Sequence, residues 1–588
     1  VSDSRTGVFN TLRALFVWGA WAWLSVGLVR FILTYASRVP MRDDLELVPF
    51  VLPSSEVAWG HLWSLHNEHR VPLPKLVAAG LFDAFDDVRA PMILNAVLLS
   101  LLAAAMMWTA RKIRGSTALV DVVFPFLWLS TGNAENLLMA FQLALVLPTV
   151  LVCTMMLVVV RREREDFSVG EALVLVACLA ALPLCGGPGI TQWPAFALGI
   201  ALATWWTRRP FGARIAFGVG LVLAIGIVAA YLVGYERPPT ETPAHDVART
   251  LSTAWRVIAS AFGPAGATWW PLSGLACAAM ALVTFVISIR AWRERVSERP
   301  RIVAILAVFA AVATLALAIG WSRGGSGAEV GSAVRYVTLP GPWIAATFFA
   351  CLLYGDRVTR VAVPGALALI LAAAHWTQNK SFGRSYGAMY SNTGREFEHD
   401  LLSRLPVQRV VTKWTERTYP NRQRLFRLTG FMARARVAPF DACDDATRRK
   451  YAESIFDLAP AAIQAPAQVM RRFFDELCDV LAVPTDSKLF FEVPTSAHSF
   501  QGVFGVPPIW VQRGTTKGIR AIVRSEADGS VLFDRTIDPV NVERERGPQA
   551  FVAYFPTGST RRIVLEIVQA EGAPHTLDWA YWADAYFE

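Results

Sequence analysis

Charge is what this sequence has least of. Only 18% of its 588 residues are Asp, Glu, Lys or Arg, against roughly 25% in an ordinary soluble chain. At the same time 54% are hydrophobic and the mean hydropathy is +0.39. This balance argues against a soluble enzyme and excludes an intrinsically disordered chain, which needs the opposite composition. Cysteine is also scarce, at 7 residues, so a disulfide scaffold is excluded, and 40 glycines are too few for a collagen-like chain. No internal repeat or low-complexity segment is visible. What is plentiful is Trp, at 21, and Phe, at 34, as expected of a chain that meets lipid and its interfaces.

A membrane-crossing helix needs ~20 largely apolar residues. The first two thirds of the chain divide into eleven such segments, at about 12–36, 90–110, 117–131, 136–160, 169–185, 188–207, 213–234, 268–290, 301–321, 337–354 and 359–376. The chain opens on Val1, and no Ala-x-Ala exit follows the first apolar run, so that run is expected to stay as an anchor. Cytoplasmic loops keep Lys and Arg. With the N-terminus cytoplasmic, 18 basic residues fall at inner span ends, Arg111, Lys112 and Arg114 among them, and the longer outer loops hold 10. An odd number of spans then places the last 212 residues outside. The net charge of +9 is largely this topology signal, so no nucleic-acid partner is expected.

The outer region reads as two parts. Residues 377–487 are expected to be mainly helical, with helices over 446–456 and 467–481. From 488 to 588 the hydrophobic period changes to two, with short strands at 489–493, 505–511, 519–524, 531–537, 551–555, 563–568 and 577–586 and a hairpin turn at Asp528-Gly529. Seven such strands suggest a β-sandwich. Cys443 and Cys478 are the only cysteines outside the spans, which makes them a candidate disulfide in an oxidising compartment. The expected fold is therefore a polytopic α-helical membrane protein with an extracytoplasmic α+β region ending in a β-sandwich.

Polar residues collect on the outer side, most densely in the first outer loop, 37–89. Asp43 and Asp44 stand directly after the first span. One of them, screened from bulk water, could take a proton from an attacking hydroxyl while its neighbour holds a metal; both could equally cap the next helix. Further on, 54–69 has the apolar spacing of an interfacial helix, followed by His66, Asn67, Glu68, His69 and Arg70. His66 and His69 could join a carboxylate on a divalent metal, His69 and Arg70 could contact a lipid phosphate, or the run could simply end the helix before Pro72 and Pro74. Glu135, Gln192, Arg335 and Tyr336 recur at outer span ends, where they could face the same cavity or make a cap or an ion pair. Trp510, Trp579 and Trp582 could stack on sugar rings or fill the sandwich core.

This plan, with Asp43-Asp44 after the first span, Arg335-Tyr336 before a late one and an outer C-terminal domain ending Leu577-Asp578-Trp579-Ala580-Tyr581-Trp582, resembles the GT-C superfamily of integral-membrane glycosyltransferases. Its last part looks like the carbohydrate-binding modules appended to some bacterial members, cell-wall arabinosyltransferases among them. The resemblance implies residues 1–376 as the catalytic membrane domain and 488–588 as a carbohydrate-binding-like module. It implies inverting transfer of a sugar from a polyprenyl-phosphate donor to a glycan, lipid or protein acceptor of the cell envelope, on the outer face of a bacterial cytoplasmic membrane. Asp43 or Asp44 would be the base. His66, Glu68, His69, Arg70, Glu135, Gln192, Arg335 and Tyr336 are candidates for the phosphate or substrate, and a metal, if used, would draw on Asp43, Asp44, His66 and His69. A lipid-linked-sugar flippase, a polysaccharide ligase and a membrane acyltransferase are the alternatives.

Overall fold

A computed structural model of the chain describes residues 2–51, 60–67, 69–162, 168–206, 211–235, 243–244, 246–403, 405, 407–452, 460–467, 469–474, 477–495, 497–514, 516, 518–556, 561–570 and 578–587. The chain folds as two compact units. One is Val1–Ser37 with Ser55–Asn392, the other Arg38–Ser54 with Thr393–Glu588. The first outer loop is therefore divided. Its acidic start belongs with the C-terminal residues and its remainder with the helices.

In the helical unit, the apolar runs become helices whose outward faces stay apolar. Leu12, Phe16 and Trp23 on the first helix are more than half exposed, as are Val222 and Leu223 on Phe211–Leu232 and Leu275 and Leu282 on Leu272–Glu294. Water would penalise such surfaces and lipid accepts them. Among the described residues, eight helices are long and apolar enough to cross a membrane: Phe9–Tyr35, Arg89–Arg114, Ala140–Val160, Ala213–Leu232, Leu272–Glu294, Val296–Ser326, Val334–Tyr354 and Thr359–Leu402. The chain is a multi-pass membrane protein. Val169–Cys185 is a shorter apolar helix, and Gly187–Trp206 is a further apolar one of 20 residues.

The expectation of a span at 117–131 is corrected. That segment is a 3-10 turn, Leu119–Val122, and a six-residue helix, Val123–Trp128. Its fifteen residues would reach only about 22 Å as a helix, short of the ~30 Å hydrocarbon layer. Other boundaries follow local chemistry. Ser168 and Glu171 form a reciprocal capping box that starts Val169–Ala181. Gly115, at φ +84°, closes Arg89–Arg114, whose last turn carries Arg111, Lys112 and Arg114. Pro72 and Pro74 do not merely stop a helix: they open Pro72–Phe85, using the first-turn positions where a missing N–H costs nothing. Of the expected interfacial helix, residues 54–59 lie outside the described residues. The last span does not end at 376; it continues through a π turn, His375–Asn379, to Leu402.

In the second unit, helices Val407–Trp414, Arg422–Arg434 and Asp445–Ala452 precede, among the described residues, ten strands: β1 (Ala462–Gln464), β2 (Met470–Phe474), β3 (Leu477–Pro484), β4 (Ser487–Glu492), β5 (Ser499–Gly505), β6 (Ile519–Ser525), β7 (Val531–Ile537), β8 (Gln549–Tyr554), β9 (Arg562–Gln569) and β10 (Trp579–Phe587). They form two antiparallel five-stranded sheets, β1-β4-β9-β6-β7 and β2-β3-β10-β5-β8. Leu489, Phe491, Phe500, Phe504, Phe551, Leu565 and Trp582 fill the core of this sandwich. The alternation is clearest on β8, which is buried at every second residue.

Two expectations fail here for identifiable reasons. The segment 467–481, expected to be helical, supplies β2 and β3, because β3 pairs with β10, Val480 opposite Ala583 and Ala482 opposite Tyr581. Distant pairing overrides local apolar spacing. The strand expected at 505–511 ends at Gly505, and Pro508–Arg513 is a short helix, since Pro507 and Pro508 cannot donate to a sheet ladder. The Asp528-Gly529 hairpin forms as expected, with Gly529 at φ +69° and Ser525 N–H donating to Ser530 O at 3.0 Å. Cys443 is a half-buried thiol, 3.7 Å from Phe440 O. The side chain of Cys478 lies outside the described residues.

Candidate functional site

The acidic motif after the first helix folds as a 3-10 helix, Arg42–Val51. It is entered through Arg42 at φ +54°, a left-handed conformation that costs a non-glycine residue of order 1–3 kcal/mol and clusters at functional sites. Asp43 is half-buried. Asp44 is fully enclosed, and its N–H donates to Met41 O at 3.1 Å. Glu46, also fully enclosed, accepts from Tyr419 Oη at 2.5 Å, from Arg424 Nε at 2.6 Å and from Arg424 Nη2. Asn421 caps the helix that carries Arg424 by accepting its N–H at 2.9 Å, so the guanidinium is held at that helix's first turn.

Glu46 shapes the electrostatics of both its partners. Burial first, then the Glu46 carboxylate, pushes Tyr419 well above an ordinary tyrosine, and the charge of Asp43 adds to the effect. Burial is the largest influence on Arg424 and opposes its charge, yet the hydrogen bond to Glu46, the Glu46 charge and Tyr419 together hold the guanidinium above its usual value. Glu46 is thus committed to a bidentate ion pair.

In the helical unit, His66 and His69 close a tight turn. Their N–H groups donate to each other's carbonyls at 2.8 and 2.9 Å, with Asn67 between them at φ +50°. Their rings go to different partners. The buried His66 ring lies 4.5 Å from that of Phe141. The His69 ring lies against Gly187, where an added Cβ would sit 2.5 Å from it. Arg70 is nearly enclosed, and its guanidinium donates to Trp63 O at 2.8 Å, Tyr231 O at 3.2 Å, Val233 O at 2.8 Å and Gly234 O at 3.3 Å. It ties down the end of Phe211–Leu232 as a C-terminal cap. Glu68 lies outside the described residues.

The second group of candidates converges on Asn136, which is fully buried. Its Nδ2 donates to Asn133 Oδ1 at 2.7 Å, Arg335 O at 3.0 Å and Thr338 Oγ1 at 3.1 Å, and its carbonyl accepts from Asn95 Nδ2 at 2.9 Å. This joins the Glu135 turn to the Arg335-Tyr336 turn. Glu135 and Arg335 are half-buried, and the Arg335 guanidinium stands 5.4 Å from the Tyr336 ring centre. Asn379, in the π turn, accepts from Ala265 N–H and donates to Phe262 O. Gln192 is 1% exposed, and neither atom of its amide has a hydrogen-bond partner.

No group of three or more His, Cys, Asp or Glu able to hold a metal occurs among the described residues. Within the helical unit the His66 ring meets Phe141 and the His69 ring meets Gly187. Of the two roles open to Trp582 it takes the core: it is fully buried, its ring 5.2 Å from Phe551. Trp510 and Trp579 are half-buried.

Sequence reasoning missed Tyr419 and Arg424 as partners of the motif, because 373 and 378 residues separate them from Glu46. It also missed Lys75, 1% exposed, whose Nζ donates to His61 O and Ser64 O. Asn136 carried a readable signal, as an amide within an apolar stretch.

No protein-family profile and no curated protein matches the chain. Among solved structures, it is similar to the arabinosyltransferase EmbB from Mycobacterium smegmatis, at 11% identity over 97% of this chain and 64% of that one, with a TM-score of 0.28. The chain spans just under two thirds of that enzyme's length. Two structures from Clostridium perfringens ZmpB are similar over a smaller part, each at 14% identity and a TM-score of 0.18. CBM51-2 with GlcNAc and the INT domains covers 23% of this chain and 31% of that one. The M60 catalytic domain with CBM51-1 and CBM51-2 covers 22% and 14%.

Proposed function

We propose that this chain is a membrane glycosyltransferase that moves a sugar from a polyprenyl-phosphate donor to a cell-envelope acceptor on the outer face of a bacterial cytoplasmic membrane. The observation that carries the reading is the state of the acidic motif. Three carboxylates follow the first helix. Glu46 is spent on Arg424 and Tyr419, Asp44 is enclosed, and Asp43 alone keeps partial exposure. Asp43 is therefore the general base, and Asp44 positions it.

In the reaction, the Asp43 carboxylate takes the acceptor hydroxyl proton as the oxygen attacks the anomeric carbon. The bond from that carbon to the lipid phosphate breaks on the opposite face, which inverts the configuration. The phosphate leaves with its own negative charge, so no protonation of it is required. Within the helical unit the Arg70 guanidinium is spent on four carbonyls.

A positioned base contributes about 10²- to 10⁴-fold. Asp43→Asn should therefore lower turnover of a polyprenyl-phosphate sugar by at least about a hundredfold in purified full-length protein, with thermal unfolding unchanged. A wild-type rate in this variant would remove Asp43 from the mechanism, and loss confined to Asp44→Asn would move the base to Asp44.

A further inference from the structure

The helical unit holds a cavity of about 310 Å³ that none of the groups above uses. It lies between the first helix and Thr359–Leu402. Its floor is apolar, with Leu28 and Phe31 among its lining, and Trp23 and Trp376 stand at it, more than half exposed, their ring centres 6.4 Å apart. Its remaining charged lining is Arg30, Lys380 and Arg384, and no carboxylate lines it.

Among the described residues, the guanidinium groups of Arg30 and Arg384 make no hydrogen bond or ion pair, and the Lys380 ammonium stands over the Trp376 ring, at 4.4 Å, with no carboxylate beside it. Three cations without a protein counter-ion, on helices that cross a membrane, are costly unless something else neutralises them. Their placement is amphipathic. Arg30 lies five residues before the end of the first helix at Tyr35, about 7.5 Å along its axis, and Trp23 lies two turns deeper. Lys380 and Arg384 are one turn apart on one helix face, directly after the π turn at His375–Asn379. That turn widens the hydrogen-bond ladder, so the face it presents differs from that of an unbroken α-helix, a feature frequent at functional sites.

We propose that this groove binds the phosphate headgroup of an anionic bilayer phospholipid, with Arg30, Lys380 and Arg384 around the phosphate and an acyl chain along Leu28, Phe31 and the two Trp rings. Charge complementarity and the lipid-facing apolar floor favour a phospholipid over a soluble anion. No carboxylate lines the groove, and His375 is the one imidazole that does.

The test uses full-length protein in a neutral detergent, with retained lipid counted by native mass spectrometry after incubation with phosphatidylglycerol, phosphatidylcholine or a polyprenyl phosphate. Wild-type protein should hold one phosphatidylglycerol and exclude phosphatidylcholine. Arg30→Gln, Lys380→Gln and Arg384→Gln should each weaken retention about fivefold, and the triple variant about a hundredfold, from the usual contribution of one basic residue to anionic-lipid binding. The single variants alter exposed or half-exposed side chains, so folding is preserved, and unchanged thermal unfolding checks this. Arg293→Gln, at an exposed cation elsewhere, should leave retention intact. Equal retention in the triple variant, equal retention of phosphatidylcholine, or displacement of phosphatidylglycerol by lower concentrations of polyprenyl phosphate in a manner abolished by the triple variant would each overturn the proposal. All of these readouts are independent of turnover.

Discussion

The Glu46–Arg424 pair is the sharpest test of how the acidic motif is held. Removing one partner of a buried ion pair costs roughly 3–5 kcal/mol, because a charge is left buried and uncompensated. Here the two partners are unequal: the Glu46 side chain is 0% exposed and that of Arg424 is 40% exposed. Glu46→Gln leaves a guanidinium that water can partly re-solvate, so the loss should fall to about 2 kcal/mol. Arg424→Leu leaves an enclosed carboxylate without its guanidinium partner, the Tyr419 hydroxyl still donating to it, and should cost about 4 kcal/mol. Hydrogen exchange of amides 42–51 and 422–434 in the full-length protein reads these as local opening. The expected increases are about thirtyfold for Glu46→Gln and several hundredfold for Arg424→Leu, at a factor of ten per 1.4 kcal/mol. Equal effects, or a smaller one for Arg424→Leu, would refute the reasoning.

The same cluster carries a pH signature. Tyr419 is raised in the folded protein, so its contribution is fully present below the ordinary tyrosine value of about 10 and is lost as pH rises from there toward its folded pKa. Tyr419→Phe should remove that alkaline loss of stability, and identical slopes for variant and wild type above about pH 10 would contradict it. Gly187→Ala would drive a methyl group into the His69 ring, an overpacking worth about 1–3 kcal/mol; His69→Ala should rescue it in thermal unfolding, and strict additivity of the two changes would show that they do not touch. Trp582→Ala should cost about 3–5 kcal/mol by leaving a cavity in the sandwich core. Its expected outcome is loss of sandwich protection in hydrogen exchange, and a variant that stays fully protected would place Trp582 outside the core.

Much of the fold was legible because membrane insertion and sheet amphipathicity are read from consecutive residues. The runs at 12–36, 90–110 and 136–160 and the period-two strands at 519–524, 531–537 and 563–568 needed no partner to be recognised. The run at 117–131 misled because it is apolar but too short to cross, and Val123–Trp128 is buried as a short helix instead. The segment 467–481 misled because its apolar residues fit two periods, and pairing with β10 chose between them. At the site, sequence placed Asp43 and Asp44 together and grouped His66 with His69. It had no means of showing that the two rings separate onto Phe141 and Gly187.

By itself the sequence determined a chain of lipid-facing helices followed by a β-rich region, because apolar runs and alternation are local properties whose free energies add residue by residue. Only the tertiary structure decided which charges are spent. Glu46 stands two residues from Asp44 and looks equivalent to it on paper, yet it finds Arg424 across 378 residues of chain. Arg30, Lys380 and Arg384 are far apart in sequence and meet at one groove without an acid. Pairing is a property of proximity in space, and burial makes it decisive, since an enclosed charge must be matched while an exposed one is answered by whatever surrounds it.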